Sequence, residues 1–204
     1  MRHDWPDLHL LRHGETEWNL EERLQGRGDS ALTERGMRQA RWQAALMRGV
    51  GGARLSSPLG RADRTARIVF GPDYRHDDRL VEICVGRFAG QRLADLRRSH
   101  PPLFAGGPLD WYDRCPAGEG FAALHARCAS FLDTLDGPAT IVTHAITLRM
   151  IRLIVLDRPL SELACDPVHQ GAVHRLSRGQ ETVLRHPDDA GVPQGLARHA
   201  SGGP

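Results

Sequence analysis

A layered α/β fold around a central, mostly parallel sheet is predicted by three observations. Short apolar runs alternate with segments of helical period along the chain, which is the pattern of strand-helix-strand crossovers. Three of these runs are followed by residues suited to ligand chemistry, namely Arg12-His13, Arg61 and His144, and open α/β sheets bind ligands beyond the carboxyl ends of their strands. The length of 204 residues, 40% of them hydrophobic and 25% charged, is enough to bury the core of one such domain.

Leu8 to Leu11 is an apolar run bounded by polar residues and reads as a buried strand. Charged residues and glycines from Leu20 to Ala31 have loop composition. Thr33 is placed to cap a helix whose Met37, Ala40, Ala44 and Met47 share one face, and Gly49, Gly51 and Gly52 end it. Ala53 to Ser56 reads as the next strand, and a helix follows from the Ser57-Pro58 turn to about Phe70, stopped by Gly71-Pro72. Tyr74 to Ile83 is extended in character and Val85 to Gln91 is loop-like. Between Gln91 and Cys115 a helix through Arg98 is followed by prolines and glycines that break regular structure. From Gly120, Phe121, Leu124, Cys128, Phe131, Leu132 and Leu135 form one apolar helix face. The β-branched run Ala139 to Thr143 reads as a central strand, and the helix after it, from Ile146 to Val155, leaves no wide polar face and is expected to be buried. Ala172–Ser177 and Glu181–His186 form a closing hairpin around Arg178-Gly179-Gln180. Residues 1–186 are expected to be one domain, with 187–204 a poorly ordered tail rich in Gly, Pro and Ala.

Composition narrows the chemistry. All 27 basic residues are arginine, which excludes a Walker-type phosphate loop, a lysine Schiff base and a pyridoxal-phosphate site. Arginine is then the cation available to grip phosphate or carboxylate. A net charge of +2 with no concentrated basic stripe argues against nucleic acid as a partner. The cysteines, Cys84, Cys115, Cys128 and Cys165, show no metal-ligand spacing and read as reduced thiols. The longest apolar segment, Ile146 to Leu156, is too short for a bilayer span. No apolar leader is read at Met1 to Asp7, so a cytoplasmic location and no membrane partner are the expectation. Oligomeric state is not legible.

Histidines, arginines and an acid gathered at strand ends suit one task, holding a tetrahedral dianion and attacking it. A neutral imidazole is a competent nucleophile at phosphorus, guanidinium groups neutralise its equatorial oxygens, and a carboxylic acid can protonate the leaving alkoxide. That scheme requires neither metal nor cofactor. The segments L-R-H-G-E-T-E-W-N at 11–19, R-L-Q-G-R-G-D-S-A-L-T-E-R-G at 23–36, S-S-P-L-G-R-A-D-R-T-A at 56–66, L-V-E at 80–82 and V-T-H-A at 142–145 occur in order along the chain. In these the sequence resembles the histidine phosphatase superfamily, in the branch that contains cofactor-dependent phosphoglycerate mutases and small broad-specificity phosphatases.

The resemblance implies a three-layer sandwich with a central, mostly parallel sheet. It makes His13 the residue that becomes phosphorylated, Arg12, Arg61 and His144 the groups that bind the transferring phosphoryl, and Glu82 the proton donor. Asn19 and Thr16 match positions that line the phosphate site, Gln25 and Gly26 match its rim, and Ala145 stands beside the phosphate where relatives usually carry glycine. Read without the resemblance, Glu82 is an ordinary surface carboxylate, Arg64 fits a structural ion pair as well as a ligand contact, His169 and Gln170 precede the hairpin within reach of the pocket or as plain surface or core residues, and Glu119 answers a helix dipole as well as it matches the family's G-E. The loop Gly86 to Gly90 departs from the family pattern near the substrate. Arg97-Arg98 lies in a short segment where the mutases carry a longer insertion. The expected activity is hydrolysis of a small phosphorylated metabolite; the alternatives are a phosphoglycerate mutase and an inactive relative that binds a phospho-ligand or a protein.

Overall fold

A computed structural model describes residues 5–191 of the chain. In chain order the regular elements are β1 (Leu8–Arg12), α1 (Glu17–Leu20), α2 (Glu34–Leu46), β2 (Ala53–Ser56), α3 (Gly60–Phe70), β3 (Arg75–His76), α4 (Leu93–Ser99), α5 (Gly120–Leu132), β4 (Ala139–Thr143), α6 (Ala145–Val155), β5 (Val173–Ser177) and β6 (Gln180–Leu184). The strands form one sheet in the order β3-β2-β4-β1-β5-β6. The pairs β3/β2, β2/β4 and β4/β1 are parallel, and β5 and β6 close the sheet as an antiparallel hairpin.

Strand alternation builds three layers. Leu10 of β1 and Ile141 of β4 turn to one face, where Leu124, Cys128 and Phe131 of α5 and Leu148 and Ile151 of α6 cover them. Leu11 and Val142, one residue on, turn to the other face and meet Met47, Ala62 and Ala66 beside α2 and α3. Being covered on both sides, these central strands read as continuous apolar runs. No helix among the described residues is long and apolar enough to cross a membrane.

Several expected elements take a different form. The stretch from Tyr74 to Ile83 is extended only at Arg75–His76; Asp77 then accepts the backbone N–H of Arg79 and starts a 3₁₀ turn at Asp78–Leu80. An aspartate bonding its own backbone two residues on competes with strand pairing. A one-turn helix at Glu17–Leu20 was hidden in polar sequence, and a capping box between Thr16 and Asn19 makes it. The buried face of α2 is Gly36, Gln39, Ala40 and Gln43, continued by Met47, rather than the apolar set Met37, Ala40, Ala44 and Met47. The helix from Gly120 ends at Leu132, with Leu135 packed on the core beyond it. The hairpin turns on two residues, Arg178 and Gly179 (φ 50° and 72°), so Gln180 begins β6, which ends at Leu184. Pro187–Gly191, the start of the expected tail, forms a 3₁₀ helix, and the remainder of that tail lies outside the described residues.

Candidate active site

The site begins with strand register. Arg12 of β1 pairs with Thr143 of β4, and the N–H of His13 donates to the Thr143 carbonyl at 3.0 Å. His13 and His144 therefore leave adjacent parallel strands side by side, with ring centroids 5.2 Å apart. Ser57, just past β2, reaches His144 from the third strand, its hydroxyl 2.8 Å from Nε2. Arg61 lies on the first turn of α3, which follows β2 directly.

The hydrogen bonds of His13 determine its tautomer. Nδ1 is 2.7 Å from the Gly14 carbonyl, which can only accept, so the proton is on Nδ1. Nε2, facing the Nε–H of Arg61 at 3.3 Å, then carries the lone pair. Burial lowers the pKa of His13 well below 6.5, and the cations of Arg61 and Arg12 push it the same way. His144 is also lowered well below 6.5, by burial first and then by Arg61 and His13. Its Nδ1 is buried and has no hydrogen-bond partner among the described residues.

Arg61 is only 2% exposed, and every arm of its guanidinium is occupied. Nη1 donates to the Gly28 carbonyl and pairs with Asp29, while Nη2 donates to the Gly26 carbonyl at 2.8 Å. The loop expected between Leu20 and Ala31 is thus tied to the nucleophile through one planar fork. Arg12 is half-buried and donates from Nη1 to the Val168 carbonyl at 3.2 Å.

Glu82 is buried, not the surface carboxylate that its sequence neighbourhood alone suggests. Oε1 accepts the N–H groups of Ile83 and Thr147 and lies 3.1 Å from the Thr147 hydroxyl, and Oε2 accepts the N–H of Ile146. The carboxylate therefore occupies the positive end of α6. Its loop is fastened from several sides. The hydroxyls of Thr143 and Thr147 donate to the carbonyls of Leu80 and Val81. Arg127 donates to the Arg79 carbonyl and forks onto Glu119, which in turn accepts the Cys84 N–H. Glu119 thus does more than answer a helix dipole: it anchors the loop.

Arg12, His13, Asn19, Gln25, Gly26, Arg61, Glu82 and Ala145 share the wall of one cavity of about 210 Å³. His144 lies behind His13 and is not on that wall. Thr16 is fully buried, and its hydroxyl is engaged by the Gln25 amide and the Asn19 N–H, so it supports the wall without forming it. Asn19 accepts from the Gln170 amide, which brings the segment before the hairpin to the site. Arg64 is not on the wall either. Among the described residues no group of three or more His, Cys, Asp or Glu side chains is placed to hold a metal ion.

Sequence reasoning missed the supports beneath the nucleophile. The Gln43 amide donates to the carbonyls of Arg12 and Ala172, and Gln39 accepts the Glu15 N–H. The Gly14 N–H donates to the Thr65 hydroxyl. The space in place of a Gly14 side chain is filled by the backbone of Gly36, so glycine here serves packing against α2. The available signal was a pair of glutamines four residues apart on the inner face of α2. Missed too were Trp18, Leu24, Val85, Leu93 and Tyr112 on the cavity wall.

Comparison with known proteins shows the family. The model of the histidine phosphatase superfamily (branch 1) matches residues 8–186. A protein named probable phosphoglycerate mutase GpmB, from Salmonella paratyphi C, is 35% identical over 164 residues, covering 74% of this chain and 75% of its own. The α-ribazole phosphatase of Shigella flexneri superposes with a TM-score of 0.76 at 27% identity, over 92% of this chain and 100% of that one. A phosphoserine phosphatase of Entamoeba histolytica, solved with phosphoserine, gives a TM-score of 0.71 at 25% identity, over 87% and 94% of the two chains.

Proposed function

The chain belongs to the histidine phosphatase superfamily, and from that premise we propose that it is a metal-independent phosphomonoesterase that hydrolyses a small phosphorylated metabolite through a phosphohistidine on His13. The state of His13 carries this reading. Its Nδ1 proton is committed to Gly14, its Nε2 lone pair is directed at the Arg61 side of the cavity, and burial among guanidinium groups keeps the ring uncharged. A neutral, fixed imidazole beside cations is what attack on a phosphoryl dianion needs.

In the first step Nε2 bonds to phosphorus as the ester P–O bond breaks, and the leaving oxygen takes the Glu82 proton. Oε2 suits this transfer, since it accepts one backbone N–H while Oε1 accepts two. In the second step the Glu82 carboxylate takes a proton from water, whose oxygen displaces Nε2 from phosphorus and releases inorganic phosphate. Arg12 and Arg61 face the phosphoryl oxygens from the cavity wall in both steps, with Asn19, Gln25 and Gly26 along it, whereas His144, behind His13, reaches them only by turning away from Ser57. No cofactor enters the cycle.

The test is rapid quenching with ³²P-labelled substrate. Acid-labile, alkali-stable label should accumulate on the protein, vanish in His13→Ala, and form equally in EDTA. Chelator-sensitive turnover restored by added metal would overturn the scheme, and absence of label would favour a non-catalytic phospho-ligand binder. The mutase reading draws on the similarity to GpmB. Against it, Arg98 pairs with Asp95, Arg97 lies over the Phe104 ring, and neither lines the cavity. Isomerase turnover dependent on 2,3-bisphosphoglycerate and faster than hydrolysis would displace the phosphatase reading.

A further inference from the structure

We propose that the site takes esters whose leaving group is an uncharged apolar body, flat and aromatic by preference, and that Trp18, Leu93 and Tyr112 select it. The proposal rests on the hydrolase reading above and names its substrate class. It follows from the two kinds of side chain that line the cavity. Arg12, Asn19, Gln25, Arg61 and Glu82 are polar or charged, whereas Trp18, Leu24, Val85, Leu93 and Tyr112 supply apolar and aromatic surface. Leu24 and Val85 are buried in the core, but Trp18, Leu93 and Tyr112 are only half-buried, so each leaves apolar surface in water that a ligand could cover.

The two aromatic walls are held in place before any ligand arrives. The six-membered edge of Trp18 rests against Gly28 and Gly90; a methyl group added to either would stand 3.3 or 3.4 Å from it. Tyr112 stacks on Trp111 with centroids 3.8 Å apart, and the Trp111 indole N–H is fixed to the Pro108 carbonyl. Stiff aromatic faces bind flat apolar groups at little entropic cost.

Charge on the wall points the same way. Besides Arg12 and Arg61, the cation among the described residues lining the cavity is Arg23, whose guanidinium is paired with Glu21 and donates to the Gly90 carbonyl. Beside it stands the acid Glu22. A carboxylate or second phosphate on the leaving group would meet a neutralised arginine and a like charge, whereas an apolar group would meet neither penalty.

The experiment compares kcat/KM for 2-phenylethyl phosphate, glycerol 3-phosphate and 3-phosphoglycerate by phosphate release. All three are alkyl esters, so leaving-group acidity differs little. The phenylethyl ester should exceed both others by about tenfold, from the apolar surface it covers. Trp18→Ala should cut that advantage to about threefold or less. Leu93→Arg, on a half-buried residue at the start of a helix, should raise 3-phosphoglycerate relative to the phenylethyl ester and serves if the tryptophan variant does not fold. Equal kcat/KM across the esters, or preference for 3-phosphoglycerate, overturns the proposal while labelled His13 still forms. No His13-dependent hydrolysis of any ester overturns the hydrolase reading and this inference with it.

Discussion

Single side chains at this site each have a geometric assignment that a substitution can test. His13→Ala removes the proposed nucleophile and should lower kcat by about 10⁴-fold in a phosphate-release assay. Glu82→Gln keeps much of the carboxylate's shape but cannot shuttle a proton, and kcat should fall by about 10²- to 10³-fold. The loss should be smaller for aryl esters, whose leaving groups need less protonation; equal losses for aryl and alkyl esters would remove Glu82 from that role. Arg61→Lys retains a cation yet loses the fork that holds Gly26, Gly28 and Asp29 together against His13. It should therefore lower kcat by about 10²-fold. At this scale the sequence was informative, because His13, Arg12, Arg61, Glu82 and Ala145 sit in motifs and all reach one cavity. Thr16 and His144 were the exceptions: a hydroxyl that caps a helix and one that lines a pocket look alike in a string of residues, and so do a histidine on the wall and one behind it.

At the scale of elements, helix α2 acts as a splint under the strand end that carries His13. Gln39 and Gln43, four residues apart, bond the backbone on either side of His13 and Gly14, and Gly36 packs against Gly14. Gln43→Leu leaves two buried carbonyls without their donor and should cost about 2 kcal/mol in urea unfolding. A cost under about 0.5 kcal/mol would mean that water replaces the amide. Gly36→Ala drives a methyl into the Glu15 backbone and should destabilise by about 1–3 kcal/mol. The strong periodicities of α5 and α6 and the apolar runs of β1 and β4 were legible because burial on one or both faces writes itself as a repeat. The turns after Asp77, the one-turn helix after Thr16 and the glutamine face of α2 were not. Each is decided by a polar side chain bonding nearby or facing backbone, a preference that hydrophobic periodicity does not register.

For the whole molecule, the buried imidazoles make stability depend on pH. His13 and His144 are both held neutral in the fold, with pKa values lowered well below 6.5, whereas in the unfolded chain they titrate near 6.5. Above that pH neither state takes up a proton and the pair contributes no slope. As pH falls below 6.5 the unfolded chain is protonated first, so folding stability should decline by about 1.4 kcal/mol per pH unit for each histidine. Urea midpoints measured between pH 7 and pH 5 should show this fall, and His144→Asn should flatten it; an unchanged slope would mean that carboxylates dominate. The pairing of Arg12 with Thr143 across neighbouring parallel strands has a different consequence. The separation of the two histidines is set by backbone geometry common to any parallel sheet, and no loop needs to be specified to obtain it. On the proposed reading, chemistry and selectivity occupy separate parts of the chain, and exchange of the segments carrying Trp18, Leu93 and Tyr112 offers a route to new leaving groups that leaves the strand ends untouched.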